Sequence, residues 1–225
     1  MRLTRSFYTL SLVALIGSLC PVAHSQGDDI PLVTVDEFDN ASKNQPKNTY
    51  NPATDKTVVQ IVKDPKLDKA VIDLVTSPTI LKIRQVPITQ DRGPEVDKFI
   101  RFCGLKPPQW WCAAFVSYQI HQASKTSGVF TSWPKAASCD YIYGWGKKHK
   151  LLLDEPGIPS VMLIKAKKGA DRQYKHTGIV VDYDPDTKII TVVEGNSNNN
   201  GSSNGIGVFR LRRKVQSSMV FVKIN

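Results

Sequence analysis

The chain has 225 residues, 22% charged and 41% hydrophobic, with a formal net charge of +10. That length fits one well-cored domain of roughly 100–200 residues plus an extension, and excludes a large multidomain assembly. The basic groups are scattered, as in Lys147-Lys148-His149-Lys150, Lys165 to Lys168 and Arg210 to Lys214. Without interleaved aromatics or a reader motif they exclude a nucleic-acid surface, and suit a solvated cationic face with attraction to anionic envelope polymers.

Residues 1–25 carry Arg2 and Arg5, an uncharged apolar run from Phe7 to Leu19, and Ala23-His24-Ser25 before Gln26. This is the pattern of a secretory signal peptide. The run is shorter than the roughly 20 apolar residues of a membrane span, and no later stretch qualifies. The expectation is a soluble protein outside the cytoplasm, periplasmic or extracellular. A lipid anchor at Cys20 is disfavoured by the large Leu19 before it. Loss of the two arginines lowers the charge to +8, from 28 basic and 20 acidic residues, and leaves Cys103, Cys112 and Cys139. An odd cysteine in an oxidising compartment points to a functional thiol. Cys103 and Cys139 form the candidate disulfide, against the alternative of two buried free thiols.

Residues 26–64, rich in Asn, Asp, Lys and Pro, read as a polar, mobile N-terminal arm. The expected catalytic domain covers 65–225. A short helix is predicted over Lys66 to Thr76, with Leu67, Val71, Leu74 and Val75 on one face before Pro78. The next opens at Pro94 after Gly93, carries the stripe Val96, Phe99, Ile100 and Cys103, and stops at Gly104. Pro107-Pro108 blocks continuation, and a new helix begins near Trp110 with Cys112, Phe115, Val116, Ile120 and Ala123 on its inner face. A further helix is predicted from Pro134, running past Tyr141 and Trp145. Strands follow at Ser160 to Lys165, Thr177 to Tyr183, Lys188 to Val193, Ile206 to Arg212 and Ser218 to Ile224, with a polar loop at Asn196 to Gly205. Helices first and strands afterwards define an α+β domain, with N-terminal helices packed on a five- to six-stranded antiparallel sheet.

Cys112 lies in the first turn of its helix, where the helix dipole favours thiolate. A cysteine there is equally at home as a buried hydrophobe, so the decision falls to a base. Among four histidines, His24 leaves with the signal and His149 sits among lysines. His121 lies nine residues along the same helix, roughly 13 Å away, out of reach of the sulfur. His176 remains. If Asp182 pairs with Lys188, the hairpin sets His176 against Glu194, and the face is kept only by an odd loop or a bulge. Asn196 shares that face as an orienting or substrate-binding candidate. The backbone N–H of Cys112 is the expected oxyanion donor, with Gln109 as a candidate aid. Trp110 and Trp111 are candidates for the cleft wall or for the core. The turn Asp182, Asp184, Asp186 lacks the terminal Glu and glycine of a calcium loop, and no zinc spacing occurs, so neither metal nor cofactor is expected.

These residues resemble the CHAP family, the cysteine, histidine-dependent amidohydrolase/peptidases of the papain-like hydrolase superfamily. Gly93-Pro94-Glu95-Val96-Asp97-Lys98-Phe99 resembles the helix before the nucleophile, and Trp111-Cys112-Ala113-Ala114-Phe115-Val116-Ser117 the nucleophile motif. His176-Thr177-Gly178-Ile179-Val180 is similar to the His-x-Gly-Ile-Val strand, and Val193-Glu194-Gly195-Asn196-Ser197 to the Glu-Gly-Asn segment. The chain departs from many relatives at Glu155-Pro156-Gly157-Ile158-Pro159-Ser160, where they carry Pro-Gly-Asp. The resemblance, over about residues 66–213, implies a papain-like fold. It also implies Cys112 as nucleophile, His176 as base, Glu194 as orienting carboxylate, Asn196 as a further site residue, and peptidoglycan or its stem peptides as substrate. An inhibitory or immunity protein is the candidate protein partner. The alternatives are an amidase of a small peptide or polyamine conjugate, and a catalytically silent wall-binding module.

Overall fold

Proline at the first helical position opens three of the helices, where its missing N–H costs nothing. The computed structural model describes Leu32–Val33 and residues 63–224. The expected signal peptide, and all of the expected arm except those two residues and the last two, lie outside the described residues. In chain order the elements are β1 (Leu32–Val33), α1 (Pro65–Val75), α2 (Pro78–Leu81), α3 (Pro94–Phe102), α4 (Cys112–Ser127) and α5 (Cys139–Lys148), followed by strands. These are β2 (Leu152–Leu153), β3 (Ser160–Lys165), β4 (Tyr174–Asp184), β5 (Ile189–Ser197), β6 (Gly207–Lys214) and β7 (Met219–Lys223). The described chain is α+β, five helices with six strands paired antiparallel in the order β6-β5-β4-β3-β7-β2, and β1 added in parallel along β6.

One expected element starts elsewhere. Helix α5 begins at Cys139, not Pro134, with Ser138 as its cap, the hydroxyl accepting from the Tyr141 N–H at 3.4 Å. Residues 134–137 stay outside the helix, and α4 takes the backbone hydrogen bonds of Ala136. The Ser117 hydroxyl of α4 donates to the Ala136 carbonyl at 2.8 Å and accepts from the Ala136 N–H at 3.2 Å. Paired in this way, the Ala136 backbone has no need of a helical partner.

The sheet is apolar on both faces. Val161, Leu163, Ile179 and Val193 join Phe99, Phe115 and Ile120 in the cluster under the helices. Met162, Val180, Val192 and Leu211 form a second cluster on the opposite face. Burying each such side chain contributes roughly 1.5–3 kcal/mol before the entropy of ordering it.

The β4–β5 hairpin differs from the expected register by three residues near the turn and by two beyond its bulge. Near the turn, Asp184 faces Ile189 and Asp182 faces Thr191, while further on Val180 faces Val192 and Ile179 faces Val193. Lys188 is therefore not the partner of Asp182. It occupies the turn with φ 56° and places its ammonium 3.5 Å from Glu155. The bulge at Val181 supplies the one-residue offset that keeps His176 and Glu194 on one face.

Candidate active site

Cys112 is the first residue of α4, and that helix end is fixed by packing. Trp111, fully buried, lies 6.1 Å ring to ring from Phe99 and 6.4 Å from Phe115. A β-carbon on Gly195 would fall within 2.7 Å of the Phe115 side chain and 2.8 Å of the Trp111 ring, so these two side chains pack directly on the bare backbone of β5. Trp111 is thus a core residue rather than a substrate-binding one. Trp110 carries the Arg172 guanidinium 4.4 Å over its ring.

His176, on β4, is fully enclosed, and its Nε2 lies 2.9 Å from Glu194 Oε2. The other ring nitrogen, Nδ1, has no hydrogen-bond partner of ordinary geometry, and the sulfur of Cys112 acts on the imidazole through charge and hydrogen bonding. Glu194 is held from three further directions. Both Nε and Nη2 of the buried Arg213 donate to it, the latter at 2.8 Å, and the Ser197 hydroxyl donates at 3.0 Å. Arg213 also donates to the Gly201 carbonyl at 2.9 Å, which ties the Asn196 to Gly205 loop to the site.

Electrostatics follow from this enclosure. Burial works against charge on Glu194, but Arg213 and His176 outweigh it and bring the carboxyl down to about 2. Burial likewise opposes charge on His176, yet Glu194 and Cys112 raise it to about 9. Cys112 lies well below an ordinary thiol, chiefly through a hydrogen bond from Cys139, then through His176 and its own helix N-terminus, against burial. These shifts favour, at neutral pH, a thiolate at Cys112 beside an imidazolium at His176 and an ionised Glu194.

A second polar array was not anticipated. Gln85, buried in the segment before α3, donates through Nε2 to Asn196 Oδ1 at 3.2 Å, to the Gly205 carbonyl at 2.8 Å and to Asp91 at 3.2 Å. Its Oε1 accepts from the Asp91 N–H at 3.0 Å. Asp91 has φ 51°, and its carboxyl is raised to about 6, first by burial and then by the charge of Cys112. Arg92 and Asp97, paired at 2.9 Å through two bonds, fix this segment onto α3. Gln85 is thus a buried glutamine of this array, and Gln109 is half-buried in the bend before α4. Asn196, with φ 57° and a fully buried side chain, belongs to the array as well as to the Glu194 strand.

The expected Cys103–Cys139 disulfide is absent. All three described cysteines are free thiols, and Cys139 Sγ lies 3.9 Å from Cys112 Sγ instead. The start of α5 at Cys139 turns that side chain toward α4. Cys103, at the end of α3, is pushed up to about 12 by burial. His121 donates through Nε2 to the Trp133 carbonyl at 2.8 Å, and His149 packs against Trp145 at 5.3 Å. Among the described residues no group of His, Cys, Asp and Glu is arranged to hold a metal ion, and no helix is long and apolar enough to cross a membrane. A pocket of about 490 Å³ at the β3–β4 loop is lined by Lys165, Lys167, Lys168, Arg172 and Tyr174, together with Tyr143 of α5 and Val220 of β7.

Comparisons with protein-family models, with curated proteins and with solved structures found no match.

Proposed function

We propose that the chain is an exported cysteine amidohydrolase of the CHAP type, with a papain-like fold, that cleaves amide bonds of peptidoglycan through a thioester. The observation that carries this reading is the buried series Arg213, Glu194, His176, Cys112, with His176 2.9 Å from a carboxyl that Arg213 and His176 hold down at about 2. Such a series keeps the imidazole oriented and protonated beside a thiolate. The thiolate attacks the amide carbonyl, and the Cys112 N–H at the start of α4 offers a hydrogen bond to the oxyanion. His176 then gives its proton to the leaving amine, and water brought in on the same base releases the acid. The substrate half of the proposal is supported by the four motifs and by the signal-peptide pattern. The lysine-lined pocket beside β4 is chemically suited to the carboxylates of stem peptides.

The test is muropeptide release from purified sacculi by the wild type and by Cys112→Ala. Release is expected to fall by a factor on the order of 10³ or more in the variant. Equal release by both would end the nucleophile assignment. Release by neither would favour the silent wall-binding module, and turnover confined to small amide conjugates would move the substrate class. Chromatography of the fragments identifies the bond.

A further inference from the structure

Cys139 has no step in the acyl-transfer scheme, yet its sulfur lies against the nucleophile. The two Sγ atoms are 3.9 Å apart, and each cysteine is the first residue of a helix, Cys112 of α4 and Cys139 of α5. Both are enclosed, at 3% and 1% exposure, so no bulky thiol competes for either sulfur. A disulfide needs about 2.05 Å between sulfurs, so closure asks for side-chain rotation and an approach on the order of 1–2 Å. From this geometry we infer that Cys139 is a resolving cysteine: a hydroperoxide oxidises Cys112, and Cys139 then closes on it to store the site as a Cys112–Cys139 disulfide.

The electrons balance in two steps. The Cys112 thiolate attacks one peroxide oxygen, the O–O bond breaks, and Cys112 becomes a sulfenic acid while the departing hydroxide takes the His176 proton to give water. Cys112 has lost two electrons and the peroxide has gained them. The Cys139 sulfur then attacks the Cys112 sulfur, the S–O bond breaks, and the hydroxide leaves as water with the proton from Cys139. In the resting site Cys139 is held protonated, first by its hydrogen bond to Cys112, then by burial and the Cys112 charge. A neutral sulfenic acid removes that charge, which eases ionisation of Cys139, with Arg172 assisting and burial and Asp140 still opposing. The thiol pair therefore reacts in sequence. Disulfide closure also stops oxidation short of the irreversible sulfinic acid. A dithiol reductant reopens the bond and is itself oxidised to its disulfide. That closure silences hydrolysis rests on the reading of Cys112 as nucleophile above, whereas the disulfide itself does not.

The experiment treats the full chain with a small excess of hydrogen peroxide, quenches it, and maps peptides by mass spectrometry without reduction. The expected result is a Cys112–Cys139 cross-linked peptide, two hydrogens lighter than the separate peptides and separated again by dithiothreitol, with Cys103 still alkylatable. In Cys139→Ser the Cys112 peptide should instead gain oxygen, and dithiothreitol should fail to reverse the two-oxygen product. A wild type that keeps both thiols, that gains oxygen on Cys112 without cross-linking, or that links Cys103 would overturn the inference. Where the wild type releases muropeptides, oxidation should abolish release and dithiothreitol restore it. A wild type inactive on sacculi that still cross-links would sink the functional proposal and leave the thiol pair standing.

Discussion

A fully buried carboxylate persists as an anion only where its neighbours replace water, and at Glu194 that task falls to Arg213, Ser197 and His176. Glu194→Gln would leave the Arg213 charge enclosed without its counter-ion, and urea denaturation should read a loss of about 3–5 kcal/mol. The same change should draw the His176 midpoint, raised to about 9 in the wild type, to lower pH. In the wild type kcat/KM should fall as pH rises through about 9, and in the variant it should fall earlier. Asp91 acts in the opposite sense, as a carboxylate whose charge opposes the thiolate. In Asp91→Asn the midpoint of Cys112 alkylation by iodoacetamide, followed against pH, should move down; an unchanged midpoint would show that the two groups do not communicate. Of these residues, His176 was legible because only four histidines exist, and Glu194 because same-face pairing survives a two-residue error in register. Arg213 was not legible, because in sequence it is one more basic residue of Arg210 to Lys214, and even the β5–β6 register sets it opposite Ile190, so that only its long side chain reaches Glu194. Gln85 and Asp91 lie in an irregular segment whose course is set by tertiary bonds, and neither periodicity nor spacing marks them.

The α4 end meets β5 closely because β5 carries no side chain at the point of contact. Gly195 makes the contact, and its missing β-carbon is the space that Phe115 and Trp111 occupy. Gly195→Ala should cost about 1–3 kcal/mol by thermal unfolding through overpacking. It should also lower kcat/KM by more than that stability loss explains, because α4 carries Cys112 while β5 carries Glu194. A variant destabilised but fully active would show that the two elements move together. At this scale five of the seven described strands and three of the five described helices were readable from alternation, apolar stripes and proline, while β1, β2 and α2 are too short to show a period. The start of α5 was not, because Pro134 satisfies the rule for a first helical position while Ser117, on another helix, claims the backbone that would have followed. Local propensity lost to a tertiary hydrogen bond.

For the whole molecule, pH acts on stability through opposed groups. The Glu194 carboxyl drops from 4.5 to about 2 on folding, so its contribution is present above 4.5 and is lost as pH falls through 2. His176 rises from 6.5 to about 9, so its contribution is present below 6.5 and is lost as pH rises through 9. Melting temperature should therefore decline between pH 4.5 and 2, and the decline should be shallower in Glu194→Gln; parallel profiles would place the acid sensitivity elsewhere. Fold class and helix-then-strand order were legible at this scale, since they need only the sequence of periodicities. The joining of residues from Gln85 to Arg213 around one sulfur was not, since it depends on a sheet order that departs from chain order. Two of the thiols make that assembly measurable from within. Cys112 owes its ionisation to the folded neighbourhood, while Cys103, pushed up to about 12, is quiet for the same reason. Unfolding returns both to ordinary thiols, so their labelling rates at neutral pH converge from opposite sides. One chain thus carries its own pair of thermometers, and their ratio reads the native fraction without a fluorophore or a substrate.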